Sequence, residues 1–142
     1  MRKLIGILLG MTLSLSAHAV LTIEIIGGVD APFPIAVVPF GVQGPVKPPV
    51  SVTDVVAADL YRSGQFAPLP EKDMLARPHE GKNINFRNWR VLDIPHVVVG
   101  KIKADGNGRY QVQFELFDVY RGERLLGLSY TASERNLRSI AH

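Results

Sequence analysis

The stretch HVVVGKIKADGNGRYQVQFELFDVY, residues 96 to 120, decides the fold of this chain. In its second half every other residue is apolar, namely Tyr110, Val112, Phe114 and Leu116. The residues between them are polar, namely Gln111, Gln113 and Glu115. A period of two predicts a strand with one buried and one wet face, and DGNG at residues 105 to 108 predicts a tight turn before it. HVVVGKIKA, before the first turn, predicts another strand of the sheet. A second turn, RGE, and the run RLLGLSYTA predict a third strand, so the segment forms an antiparallel meander.

The residues upstream predict a strand, a helix and another strand. PIAVVPF, residues 34 to 40, is a continuous apolar run, which is typical of a strand covered on both faces. The Gly and Pro residues of GVQGPVKPP, residues 41 to 49, predict an irregular loop. Ser51 with Asp54 starts a helix whose apolar face holds Val52, Val55, Val56 and Leu60, and Ser63 with Gly64 ends it. QFAPL, residues 65 to 69, then predicts a short strand parallel to the first.

Two further helices are expected. Phe86, Trp89 and Leu92 recur at helical spacing and predict a short helix over residues 85 to 92. Ser133 is expected to cap a final helix whose apolar side carries Leu137, Ile140 and Ala141. The predicted fold is therefore α/β, a two-layer domain in which two or three helices pack against a mixed β-sheet of about five to six strands.

The first residues have the pattern of a signal peptide. MRK is basic, LIGILLGMTLSLS is apolar but too short to span a membrane, and Ala17-His18-Ala19 fits signal peptidase. We expect residues 1–19 to be removed after Ala19, and the exported protein not to span a membrane.

Charge and composition exclude several classes of function. Without Arg2 and Lys3 the chain has 14 basic and 13 acidic side chains, which gives no cluster for binding nucleic acid. The sequence contains no cysteine, so disulfides, thiolate metal sites and thiol catalysis are excluded.

No motif predicts catalysis, a cofactor or a metal site. His79 is expected to be a solvated loop residue, and His96 a half-buried residue that opens a strand. The DGNG turn lacks the later ligands of a calcium loop, and Gly27-Gly28 lacks the spacing of a phosphate-binding loop. We expect no catalytic residue, no metal ligand and no cofactor. An alternative function is a periplasmic ligand-binding or carbohydrate-active accessory domain that uses Phe86, Trp89 and Tyr110, although helical spacing favours core packing of the first two.

Several segments together resemble the amino-terminal domain of the TolB family, periplasmic proteins of the Tol-Pal cell-envelope system. They are PIAVVPF, VVAADL followed by SGQFAPL, VVVG and the hairpin YQVQFELFDVYRGERLLG, in the family's order and spacing. The resemblance implies a TolB α/β domain over residues 34–142, helices packed on a mixed sheet, and a chain that stops before a C-terminal β-propeller. It also implies that the propeller, absent here, binds the lipoprotein Pal, and that the protein works in the periplasm, supports outer-membrane integrity and cell division, and is a monomer.

The family further implies that residues 20–33 form a partner-binding segment for the C-terminal domain of TolA. Carried over to this sequence, the binding residues are Val20, Leu21, Thr22, Ile23, Glu24, Ile25, Ile26 and Asp30. The run VLTIEII also predicts a strand on its own pattern, and an extended segment can add to the edge of a partner's sheet. The same strand could instead complete the domain's own sheet, and periodicity does not separate the two interpretations.

Overall fold

The computed structural model describes residues 31–137. The described strands are β1 (Phe33–Val37), β2 (Gly41–Gln43), β3 (Phe66–Pro68), β4 (His96–Ala104), β5 (Arg109–Asp118) and β6 (Glu123–Ser133). The described α-helices are α1 (Val52–Arg62) and α2 (Phe86–Val91), and short 3-10 turns cover Glu71–Asp73, Gly81–Asn83 and Glu134–Asn136.

All six strands form one open sheet of order β3-β1-β4-β5-β6, and β2 pairs with β4 beyond the end of β1. β1 is parallel to both β3 and β4, whereas β4, β5 and β6 are antiparallel neighbours. The predicted mixed α/β sheet, the parallel strand-helix-strand unit and the antiparallel meander are thus confirmed.

The sequence signals at the ends of α1 act as predicted. The Ser51 side chain accepts a hydrogen bond from the Asp54 N–H at 3.3 Å. Ser63 closes the helix, and Gly64 follows with φ +71°, a left-handed conformation that glycine adopts without strain. α2 begins in the same way, because Asn85 caps it through the Arg87 N–H at 3.2 Å.

The side chains of alternate residues in the central strands pack into two separate hydrophobic cores, one on each side of the sheet. On the side that we call the α1 face, Val56, Ala57 and Leu60 of α1 pack on a cluster that includes Ile35, Val37, Val98, Ile102 and Val112. On the other side, the α2 face, Trp89 and Phe86 join Ala36, Val38, Val97, Val99 and Phe117. Residues 35 to 38 are buried, so the predicted strand is covered on both faces there, whereas Pro34 is exposed. The helices lie on opposite faces of the sheet.

Two local predictions are wrong. Gly41–Gln43 is a strand, not the start of a loop, because its backbone pairs with Lys101 to Lys103 of β4 before the prolines begin. Ser133 makes no side-chain cap bond within the described residues, and a 3-10 turn, not a first α-helical turn, follows it. Leu137 is the last described residue, and the rest of the predicted final helix lies outside the described residues.

Candidate functional site

The expected partner-binding residues lie outside the described residues. These are Val20, Leu21, Thr22, Ile23, Glu24, Ile25, Ile26 and Asp30. The described chain starts next to them with four exposed residues, 31 to 34, and Phe33 keeps 60% of its surface exposed. The Phe33 N–H donates to the Gln65 carbonyl at 2.8 Å, so the fold holds the chain from this point onward.

Charged and polar side chains on the polar face of the β4–β5–β6 meander form hydrogen bonds and ion pairs with neighbouring segments. Glu115 on β5 accepts from the backbone N–H of Gly81 at 3.1 Å and from the Arg124 guanidinium at 3.2 Å. Gln111 donates to Ser129 of β6 at 3.4 Å. The polar residues predicted for one face of β5 therefore share that face, and they hold the loop before α2 and strand β6 in place.

Glu80 joins the same face through two lysines. Its carboxylate accepts from Lys101 Nζ at 2.6 Å and from Lys82 Nζ at 2.8 Å. Hydrogen bonds from Lys101 and then Lys82, followed by the charges of the same two lysines, lower the pKa of Glu80 to about 2. Bonding to Glu80 in turn raises the pKa of Lys82. These groups surround an open depression of about 460 Å³, but their charges pair with each other, so the arrangement offers no activated nucleophile.

The two described histidines, His79 and His96, lie in different environments. His96 opens β4 half-buried, as predicted. His79 is exposed in its loop, as predicted, and its Nδ1 also lies 3.0 Å from the Pro39 carbonyl oxygen. The ring also covers Gly41, where an added Cβ would come within 2.7 Å of it. His79 thus fastens its loop to the end of β1 and the start of β2.

The three aromatic residues of the alternative function do not form a surface patch. Trp89 has no exposed surface and lies on the α2 face, whereas Tyr110 is 3% exposed and lies on the α1 face. Phe86 packs against Phe117, with ring centroids 5.9 Å apart. The alternative ligand-binding function is therefore not favoured.

Residues 31–137 contain no group of three or more His, Cys, Asp or Glu side chains that could hold a metal ion. In the same part of the chain, no helix has the length and apolar character needed to cross a membrane. The sequence reasoning missed the Glu80–Lys101 and Glu115–Gly81 contacts, because their members lie 21 and 34 residues apart and no local pattern joins them.

Comparison with known proteins identifies the family. The family model of the TolB amino-terminal domain matches residues 21–125. A Tol-Pal system protein TolB from Nitrosococcus oceani is 48% identical over 99% of this chain, and one from Thioalkalivibrio sulfidiphilus is 43% identical over 96%. The chain spans about a third of the length of these relatives, 33% and 32% respectively.

A solved structure agrees with the sequence match. The crystal structure of TolB from Acinetobacter baumannii aligns with 80% of this chain at a TM-score of 0.66 and 29% identity, and the alignment covers 26% of that longer chain. The chain therefore belongs to the TolB family of the Tol-Pal system and corresponds to the family's amino-terminal domain.

Proposed function

We propose that this chain is a non-enzymatic, periplasmic protein-interaction domain whose residues 20–30 bind the C-terminal domain of TolA. The observation that carries the proposal is a strand-like, apolar segment, VLTIEII, which directly follows the predicted signal-peptidase site in a TolB amino-terminal domain. Leu21, Ile23 and Ile25 then face one way, and the bound segment adds as a strand to the edge of the TolA sheet.

The described part of the chain supports the proposal in two ways. Residues 31 to 34 are exposed, so the described chain begins at the surface of the fold. Between residues 31 and 137, His79 and the charged groups described above contact other parts of the domain itself. The domain then acts as a carrier for the segment, and the chain needs no cofactor.

The larger role follows from the family. Binding to TolA links this domain to the Tol-Pal system, which supports envelope integrity and cell division. The family resemblance implies that Pal binding belongs to a C-terminal β-propeller, whereas we assign TolA binding to residues 20–30.

Deletion of residues 20–26 tests the proposal. The variant should lose capture of the TolA C-terminal domain in a pull-down and keep the circular dichroism spectrum of the wild type, since the deleted residues precede β1. A matched control replaces Gln111 and Gln113 with Ala on the polar face of β5, and it should bind like the wild type. Full binding by the deletion variant would refute the assignment.

A further inference from the structure

The turn between β4 and β5 places an asparagine directly before a glycine in an open position. Residues 105 to 108 read DGNG, so Asn107 precedes Gly108, and all four residues are exposed. Apart from the adjoining residues, no described atom lies within 4 Å of a Cβ built on Gly106 or Gly108. The surroundings therefore leave room for the Asn107 side chain to turn onto the peptide bond that follows it.

Hydrogen bonds shape this turn and leave two of its reactive groups unoccupied. The Asp105 carboxylate accepts from the N–H groups of Asn107 at 2.9 Å and of Arg109 at 3.2 Å, which is the usual role of an aspartate at the start of a turn. Among residues 31–137, neither the Asn107 side-chain amide nor the Gly108 N–H has a hydrogen-bond partner. Gly108 has φ +71°, which glycine adopts without strain, and it has no side chain to shield its nitrogen.

We propose that Asn107 is a site of spontaneous deamidation in the folded protein. The Gly108 backbone nitrogen attacks the carbonyl carbon of the Asn107 side chain. The side-chain amide leaves as ammonia, which takes the proton of the Gly108 N–H, and a cyclic imide remains. Water then opens this ring at either of its carbonyl groups, which leaves an aspartate or an isoaspartate at position 107. Water is the co-reactant, and no electron is transferred.

The other asparagines of the chain provide internal controls. Each of them precedes a bulky side chain, in the pairs Asn83-Ile84, Asn85-Phe86, Asn88-Trp89 and Asn136-Leu137. A bulky side chain hinders the approach of its own backbone nitrogen to the preceding amide. Asn85 is also held by its cap bond to the Arg87 N–H at 3.2 Å. Asn107 is therefore the asparagine at which ring closure meets the least obstruction.

Deamidation changes both the charge and the length of the turn. Either product adds a carboxylate two residues from Asp105, so the turn gains negative charge. The isoaspartate also lengthens the main chain by a methylene within residue 107. The Gly108 carbonyl accepts from the Glu134 N–H at 3.2 Å, so the longer main chain should loosen the contact between the turn and the end of β6. The inference goes beyond the proposed function and does not depend on TolA binding.

Ageing of the folded full chain tests the site. The protein is held at mildly alkaline pH, and samples are digested with trypsin at mildly acidic pH and compared by mass spectrometry with an unaged sample. Cleavage after Lys103 and Arg109 isolates residues 104–109, in which Asn107 has the only side-chain amide. This peptide should gain the mass of an amide-to-acid exchange, while the control peptides 83–87 and 88–90 keep their mass. No gain in residues 104–109, or equal gains in all three peptides, would overturn the proposal.

Two comparisons test the mechanism and the role of the turn. Asn107→Gln keeps a side-chain amide but needs a larger ring that closes more slowly, so peptide 104–109 of this variant should keep its mass. An undiminished gain would overturn the cyclic-imide mechanism. Deamidation of Asn107 in the urea-unfolded chain but not in the folded chain would show that the turn protects it, and would also overturn the proposal.

Hydrogen exchange tests the structural consequence. In the aged protein, the isoaspartate-containing fraction should exchange the Glu134 amide faster than the unaged protein does. Unchanged exchange at Glu134 would overturn the loosening of this contact.

Discussion

Substitution of Gly100 by Ala tests the close packing at the centre of the sheet. An added Cβ at Gly100 would lie 2.7 Å from the Gln113 carbonyl oxygen and 2.9 Å from two ring carbons of Phe40. The carbonyl belongs to β5, which is held on both sides by β4 and β6, and Phe40 is 8% exposed. Neither neighbour can move without disturbing the ladder or the core on the α1 face.

The expected cost follows from this overlap. Overpacking of a closed core costs about 1–3 kcal/mol of unfolding free energy. In a domain of somewhat more than 100 residues, 1 kcal/mol shifts the melting temperature by about 4 °C, so we expect a decrease of roughly 4–12 °C. Thermal denaturation followed by circular dichroism measures it.

Gly127 in β6 provides the matched control. The three atoms nearest to an added Cβ there all belong to the Arg124 side chain, and the closest, at 3.4 Å, is at ordinary van der Waals distance, so no neighbour has to move. Gly127→Ala should change stability by no more than about 0.5 kcal/mol. Equal melting temperatures for Gly100→Ala and Gly127→Ala would show that the space around Gly100 can accept a Cβ.

Three further predictions concern the core, a helix cap and an ion pair. Trp89→Ala should lower the unfolding free energy, measured by urea titration, by about 3–5 kcal/mol, because the indole is fully buried. The fluorescence emission of wild-type Trp89 should also be blue-shifted. A red-shifted, readily quenched emission would contradict its burial. Ser51→Ala removes the side-chain acceptor at the start of α1 and should cost about 1 kcal/mol by thermal denaturation, whereas Ser51→Asp should retain most of the stability. The pKa of Glu80 is lowered from 4.5 to about 2, so its ionised form stabilises the fold above pH 4.5, and this contribution is lost as the pH falls toward 2. The stability difference between wild type and Glu80→Gln should therefore be largest above pH 4.5 and shrink toward pH 2, and a difference that does not change with pH would show that Lys101 does not hold the carboxylate.

Local sequence signals predicted most elements because their causes are local. The Ser51 cap, the alternation from Tyr110 to Leu116, and the spacing of Phe86 and Trp89 each involve neighbours in the chain, and each element formed where expected. The family resemblance is confirmed by the family model of the TolB amino-terminal domain, which matches residues 21–125.

Features that depend on distant partners were not predictable from the chain. β2 contains Gly41 and only three residues, and it is a strand because β4 offers it a backbone to pair with. His79 looked like a free loop residue, yet the carbonyl of Pro39, 40 residues earlier, binds its ring. The bonds from Glu115 to Gly81 and from Glu80 to Lys101 likewise arise only once the sheet is assembled.

The central claim is that residues 20–30 are the part of this domain that binds TolA. Hydrogen exchange of the full chain, measured with and without a saturating amount of the TolA C-terminal domain, tests it most directly. Strand addition predicts that the largest gain in amide protection falls on residues 20–30, because their backbone N–H groups enter a new ladder. Unchanged exchange there, with the gain on residues 111–115 of β5, would contradict the claim and assign the interface to the polar hairpin face.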